Sequence, residues 1–223
     1  MSVKPGFARI VWLVVQLSLV AQLLPVAATA VPAEQTPGAP QLWLPTPPGQ
    51  PWRVIQGYGC GTHDDWDRFS LDLAAAQGRS AGAPVYAAAR GRVQAWVQPS
   101  GTLILDHGNG FYTMYTHLSH AAVVSSGQIV ERGEPIGLVG ERGTPGVPHL
   151  HFTAYYAPGR WGGGPRQSFP LRFADGYHLS AIGGCDQHSG RVLVAEQRRV
   201  AAPTFRHYLP LVQHEQAGRP FNR

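Results

Sequence analysis

Hydrophobic and polar positions alternate in short runs over most of the chain that follows residue 52. The apolar residues of these runs are largely β-branched or aromatic, and Gly, Pro or Asn separates one run from the next. A period of two places successive side chains on opposite faces of an extended chain, so the pattern predicts half-buried β-strands. The predicted strands span residues 53–56, 69–74, 84–88, 92–98, 102–106, 111–117, 136–140 and 149–155, with weaker candidates at 191–195 and 207–212.

Turn signals favour an antiparallel arrangement of these strands. Asn109 and Gly110 lie between the strands predicted at 102–106 and 111–117, and an Asn-Gly pair is a strong signal for a two-residue hairpin. Spaced glycines in residues 127–140 predict tight corners in a small β core. We therefore expect an all-β, mainly antiparallel domain, a small β-sandwich or half-barrel with long loops.

The N-terminal segment, residues 1–30, is typical of an export signal. It begins with the basic residues Lys4 and Arg9, continues with an interrupted apolar run and ends in an Ala-Thr-Ala triplet that suits cleavage after Ala30. We expect a secreted or cell-envelope protein without stable membrane insertion after cleavage. An uncleaved membrane anchor is the alternative.

Composition divides the remaining chain into three segments. Residues 31–51 contain seven prolines and predict a semi-rigid linker outside the core. Residues 52–189 form the predicted domain, and residues 190–223, with six Arg against two Glu, form a basic C-terminal extension. That tail is either a solvated terminus or a contact for an anionic envelope surface. A nucleic-acid partner would require a basic face with interleaved aromatic residues on the domain, so we expect none.

Lysine and cysteine usage narrows the chemistry. The single lysine, Lys4, lies in the segment that we expect to be removed. This excludes a pyridoxal Schiff base, a phosphate-loop lysine and a lipoyl or biotinyl carrier, because each needs that amine. Cys60 and Cys185 predict one disulfide in an exported protein. The alternative is a structural zinc ion held by both cysteines together with His63 and His188.

Histidines and one carboxylate mark the candidate chemistry. His149 and His151 are one residue apart in a predicted strand, so both imidazoles point to one face, as a metal or acid–base site requires. Two surface histidines are the alternative. Asp72 lies inside an otherwise apolar strand, where a carboxylate is costly unless it is paired or binds a metal. A salt bridge to Arg68 or Arg79 would also satisfy it.

Four ordered motifs between residues 52 and 157 resemble the lysostaphin-type zinc metallopeptidases, which cleave peptide links in bacterial cell walls. The motifs are Ser-Leu-Asp72-Leu-Ala-Ala with the Gly-Ala-Pro84 segment after it, His107-Gly-Asn-Gly through His117-Leu-Ser, the glycine-spaced residues 127–140, and Gly143-Thr-Pro-Gly-Val-Pro-His149-Leu-His151-Phe. The resemblance implies the β fold with a duplicated hybrid motif. It also implies an exported zinc metalloendopeptidase that hydrolyses peptidoglycan stem peptides or cross-bridges.

The resemblance also implies the site residues. They are His63, Asp72 and His151 as ligands of one zinc ion, and His117 and His149 as catalytic residues. Many members have the first ligand four residues before the aspartate, where this chain has Arg68, whereas His63 fits a subgroup with a longer loop. The alternative function is a non-catalytic wall-binding or hydrolase-activating module of the same fold. The sequence leaves the oligomeric state open.

Overall fold

The computed structural model describes residues 38–120, 125–159 and 164–196, and its secondary structure is almost entirely β. The predicted signal peptide and the weak strand predicted at 207–212 lie outside these ranges. In the part of the chain described, no helix is long and apolar enough to cross a membrane. The strands, numbered in chain order, are β1 (Pro51–Gln56), β2 (Leu71–Ala75), β3 (Pro84–Tyr86), β4 (Gly91–Val97), β5 (Thr102–Asp106), β6 (Phe111–Thr116), β7 (Ile129–Val130), β8 (Pro135–Leu138), β9 (Leu150–Tyr156), β10 (Gln167–Ser168), β11 (Arg172–Phe173), β12 (Tyr177–His178) and β13 (Val192–Val194).

One large antiparallel sheet organises the domain. Its strands lie in the spatial order β13-β1-β2-β9-β6-β5-β4-β7, and β10 pairs with β9 beside this path. Two smaller antiparallel pairs, β3 with β8 and β11 with β12, complete the described strands. The structure confirms the prediction of an all-β, mainly antiparallel fold.

Strand alternation divides the large sheet into a core face and a second face. In β9, Leu150 and Phe152 are buried in the main core, and His151 lies between them on the opposite face. In β2, Asp72 stands between two buried leucines in the same way. The polar residue of each strand is thereby directed away from the core, toward the second face of the sheet.

The hairpin between β5 and β6 forms where Asn109 and Gly110 predict it. Both residues have positive φ angles, 53° and 81°, which Asn and Gly tolerate best. The loop is longer than the two residues expected. The backbone N–H of His107 donates to the carbonyl oxygen of Phe111 over 2.9 Å, and this hydrogen bond closes the hairpin. Residues 108–110 therefore form a three-residue connection.

The described part of the proline-rich segment differs from the linker predicted for residues 31–51. Leu42 and Leu44 are 2% and 1% exposed and belong to the main core. The backbone N–H of Trp43 between them donates to the carbonyl oxygen of Ala88 over 2.7 Å. Prolines hold the segment extended, so alternate leucines reach the same face and pack against the domain.

The end of the described chain is also part of the domain. Val192–Val194 forms the edge strand β13 and pairs with β1, so the sheet extends into the segment predicted as a basic C-terminal extension from residue 190. A disulfide joins Cys60 to Cys185, as predicted, and the alternative structural zinc site is absent because the two sulfurs are bonded to each other. This bond ties the C-terminal segment to the loop that follows β1.

Candidate metal centre and cleft

A cleft of about 700 Å³ lies over the second face of the large sheet. Side chains that alternate with core residues in β2, β6 and β9 contribute Asp72, Met114, Thr116 and His151 to its lining. Residues 143–147 supply further lining, including the exposed side chain of Val147. The cleft thus combines a polar centre with partly apolar surroundings, the usual composition of a ligand site.

Three side chains form a candidate metal centre in this cleft. Asp72 and His151 are direct cross-strand partners in the β2–β9 register, and His63 joins them from the loop after β1. Possible ligand atoms of the three residues all lie within 4.8 Å of one another. His63 Nε2 is 3.1 Å from Asp72 Oδ1 and 3.1 Å from His151 Nδ1, and the latter two atoms are 2.9 Å apart. All three residues are buried.

Backbone contacts fix the orientation of the His63 ring. Its Nδ1 is 2.7 Å from the carbonyl oxygen of Gly57. A carbonyl oxygen only accepts hydrogen bonds, so Nδ1 carries a proton and Nε2 faces Asp72 and His151. This is the usual way in which an outer partner orients a metal-binding imidazole.

A carboxylate orients the ring of His151. Its Nε2 is 3.1 Å from Asp67 Oδ2, and the hydroxyl of Thr153 donates to the other oxygen of Asp67 over 2.7 Å. The ring can therefore donate outward to Asp67 while Nδ1 faces Asp72 and His63. Ser70 also donates to Asp67 and contacts Thr153, so three side chains hold this outer partner in place.

The charges of the cluster match a bound cation. Burial alone would raise the pKa of Asp72, but hydrogen bonds and charge interactions with His151 and His63 outweigh it and hold that pKa far below its usual value. Burial alone would lower the pKa of His151, but Asp67 and Asp72 raise it to about 9. A proton on His151 thus balances the carboxylates when no metal is bound. The donor set, two imidazoles and a carboxylate, is one that zinc binds in catalytic sites.

The other two predicted histidines stand beside this cluster. His149 Nε2 is 3.6 Å from Asp72 Oδ1, and the ring centroids of His117 and His149 are 4.6 Å apart. Each ring has its Nδ1 near a backbone carbonyl oxygen, that of Arg142 for His117 and that of Val147 for His149. Burial, the largest cause, lowers the pKa of His117. Both rings line the cleft.

The structure thus brings all five predicted site residues together. Arg68, at the position that many family members use for the first ligand, is exposed and lies outside the cluster. The ion pairs of Asp72 among the described residues are with histidines, so the alternative salt bridge to Arg68 or Arg79 does not form.

Two groups of contributing residues were missed in the sequence. Asp67, Ser70 and Thr153 support His151, and the available signal was that Ser70 and Thr153 share a strand face with Asp72 and His151. Gly57 supports His63, and no local pattern indicates this, because the contact depends on how the loop after β1 folds.

Part of the chain that forms this cleft matches a known protein family. Residues 70–161 match the family described as Peptidase family M23. This range includes all four motifs on which the sequence resemblance depends. His63, the first predicted ligand, lies seven residues before it.

Curated relatives match part of the chain. A 74-residue segment is 38% identical to the peptidoglycan DD-endopeptidase ShyB of Vibrio cholerae, covering 32% of this chain and 17% of that protein. A 78-residue segment is 41% identical to the murein hydrolase activator EnvC of Escherichia coli, covering 34% of this chain and 18% of that protein. The matches therefore span less than a fifth of either relative's length.

A solved structure supports the fold over a longer range. Pseudoalterin, described as an M23 metalloprotease from the deep sea, aligns with a TM-score of 0.51 and 24% sequence identity, covering 71% of this chain and 96% of that chain. The alignment agrees with the all-β architecture. The family match confirms the resemblance drawn from the four motifs: residues 70–161 match the family described as Peptidase family M23.

Proposed function

We propose that this protein is a zinc metalloendopeptidase that hydrolyses peptide bonds in peptidoglycan. The observation that carries the proposal is the convergence of three possible ligand atoms, from His63, Asp72 and His151, in a cleft with two further imidazoles beside them. Without a metal, a proton on His151 balances this buried cluster, and a bound cation would take the place of that proton.

The three proposed ligands suit a catalytic metal. His63, Asp72 and His151 would supply three of the four ligands that zinc usually takes, so a bound ion would keep a position for water or substrate, unlike the closed set of a structural site. Zinc held there supplies Lewis acidity, which polarises a peptide carbonyl and lowers the pKa of water to about 7. Asp67 and the Gly57 carbonyl keep the outer ring nitrogens protonated, so that the inner nitrogens remain donors to the metal.

His117 and His149 are the proposed catalytic residues. The Nδ1 proton of each ring is held by a backbone carbonyl oxygen, which leaves Nε2 as the acceptor. Burial keeps the pKa of His117 low, so its ring is neutral near pH 7 and can take a proton from water. Hydroxide adds to the carbonyl carbon, the C–N bond breaks, and a histidine returns the proton to the leaving amine.

The curated relatives support the choice of substrate. ShyB is named for its action on peptidoglycan, and this chain shares 38% identity with part of it. The similarity to part of EnvC, a murein hydrolase activator, favours a second candidate, a non-catalytic activator of the same fold. The complete set of five site residues favours the enzyme, because an activator needs neither metal nor general base.

We also propose that the protein acts outside the cytoplasm. The N-terminal segment predicts export, and a disulfide between Cys60 and Cys185 is stable in an oxidising compartment. Both features agree with a peptidoglycan substrate.

The decisive experiment measures zinc content and wall hydrolysis on the chain from residue 31 onward. We expect about one zinc ion per chain and release of peptides or muropeptides from purified peptidoglycan. His63→Ala should lose both, whereas the control Arg68→Ala should retain both, since Arg68 lies outside the cluster. A wild-type protein that cuts no peptidoglycan, with or without zinc, yet stimulates a separate wall hydrolase, would establish the activator function instead.

A further inference from the structure

The loop that carries His63 is held in place by a second segment far away in the sequence. Cys60 begins a turn in which the backbone N–H of His63 donates to the Cys60 carbonyl oxygen over 2.9 Å. The disulfide from Cys60 leads to Cys185, 125 residues later. Both His63 and Cys185 lie outside the segment that matches the peptidase family. The support of the first proposed ligand is therefore a feature of this chain beyond the matched domain.

The residue after the disulfide contacts the peptide that orients His63. Asp186 Oδ1 accepts a hydrogen bond from the backbone N–H of Gly57 over 2.7 Å, and the carbonyl oxygen of Gly57 accepts from His63 Nδ1 over 2.7 Å. One backbone residue thus connects Asp186 to the imidazole. Rotation of Gly57 would turn its carbonyl away from His63 and break the contact.

Neighbouring contacts fix the distance between the two segments. Tyr58 and Gln187 exchange two backbone hydrogen bonds of 3.0 and 3.1 Å. A Cβ atom at Gly57 would overlap the carbonyl oxygen of Gln187, so only glycine allows this approach. Gln187 is buried, and its side chain bonds to the backbone of Gly184 and Ile182.

The backbone of the second segment is strained at the position that carries the contact. Asp186 has a φ angle of 53°, in the left-handed region that non-glycine residues rarely adopt. Such a conformation persists only where surrounding contacts determine it, and the disulfide and the Gly57 N–H supply those contacts.

We propose that Asp186 is a positioning residue that acts through Gly57 to hold His63 in the orientation required for metal binding. The proposal rests on the proposed role of His63 as a zinc ligand. Asp186 contacts neither metal nor substrate. Its effect is to reduce the number of orientations that His63 samples, which raises metal affinity without changing the ligand set.

The test compares three variants of the chain from residue 31 onward. Asp186→Gly removes the carboxylate and relieves the left-handed strain, whereas Asp186→Asn keeps an oxygen acceptor in a residue that tolerates this conformation. Asp65→Gly is the matched control, because Asp65 is also an exposed aspartate with a positive φ angle, 45°. Zinc affinity is measured by competition with a chelator of known affinity, and thermal unfolding confirms that each variant is folded.

We expect Asp186→Gly to weaken zinc binding by about 10- to 100-fold, as is typical when an outer partner of a metal ligand is lost. Asp186→Asn should stay within about threefold of the wild type, since it preserves the Gly57 contact. Asp65→Gly should match the wild type. A folded Asp186→Gly variant with wild-type affinity would overturn the proposal, as would equal losses in Asp186→Gly and Asp65→Gly.

A second readout separates this proposal from the proposed function. In the metal-free protein, the Nδ1 proton of His63 should give a slowly exchanging NMR signal, because it is buried and hydrogen-bonded. Asp186→Gly should remove that signal and Asp186→Asn should retain it. If wild-type protein binds no zinc, the metallopeptidase function fails, and this signal still decides whether Asp186 positions His63.

Discussion

Asp67 offers the sharpest test of how the proposed metal centre is held. Its Oδ2 atom is 3.1 Å from His151 Nε2, and its other oxygen accepts from the hydroxyl of Thr153. Asp67→Ala removes the acceptor that keeps Nε2 protonated and Nδ1 directed at the cluster. Loss of such an outer partner typically weakens metal binding by about 10- to 100-fold, or about 1.4–2.7 kcal/mol.

A second effect of Asp67→Ala has the opposite sign. Asp67 and Asp72 together raise the pKa of His151 to about 9, and a ligand must lose its proton before it binds a metal. At about pH 7, two units lower, proton competition weakens the apparent zinc affinity of the wild type by about 100-fold. Without Asp67 the pKa of His151 falls, and part of this competition disappears.

The net result depends on pH. Near pH 7 the two effects oppose each other, so Asp67→Ala should bind zinc within about tenfold of the wild type. Near pH 9.5 the competition is absent from both proteins, and the full loss of about 10- to 100-fold should be visible. Chelator competition at both pH values measures this, with Asp64→Ala as a control because Asp64 is an exposed neighbour in the same loop. Wild-type affinity of Asp67→Ala near pH 9.5 would refute the reasoning.

The remaining predictions concern catalysis, folding and pH. His117→Ala and His149→Ala should each abolish peptidoglycan hydrolysis while zinc content stays near one per chain; loss of zinc from both would show that they are ligands. Leu42→Ala should lower the free energy of unfolding by about 2–5 kcal/mol in urea titrations, because Leu42 is buried in the core. The control Leu138→Ala, at a half-exposed position, should change it by less than about 1 kcal/mol. Equally small effects of both variants would mean that residues 38–50 are a linker after all. In metal-free protein the folded pKa of His151, about 9, exceeds the unfolded value of about 6.5, so its contribution to stability is complete below about pH 6.5 and disappears as the pH rises through about 9. Thermal midpoints of chelator-treated protein should therefore fall over that interval, and a rise there would contradict the assignment.

The strands that could be predicted are those long enough to show a period. The sequence indicates β9 because apolar and polar residues alternate from Leu150 to Ala154. It indicates β5 because a run of three apolar residues, Leu103–Leu105, lies between turn signals. Two-residue strands such as Ile129–Val130 and Tyr177–His178 show no period, and they exist only because neighbouring strands offer hydrogen bonds to them. Their positions depend on tertiary contacts that local sequence does not record.

The proline-rich segment shows how composition can hide a pattern. Its seven prolines indicate an extended chain, but extension alone does not distinguish a solvated linker from a strand-like segment packed on a core. Leu42 and Leu44 indicate the packed segment, because their two-residue spacing places both side chains on one face. Two leucines among so many prolines are too short a pattern to outweigh composition.

The residues of the candidate site also differ in how far local sequence could predict them. Asp72 and His151 could be predicted because each occupies a polar position in an apolar strand, and the register of β2 and β9 then makes them partners. His63 came only from the resemblance. Its partner Gly57 and the proposed positioning residue Asp186 could not be found, because the hydrogen bond between these two residues joins positions 129 residues apart in the sequence. The matched segment supplies four of the five site residues, but the fifth depends on chain outside it. An isolated fragment limited to residues 70–161 would therefore retain the two proposed catalytic histidines and two of the proposed ligands, and lack His63, the third proposed ligand.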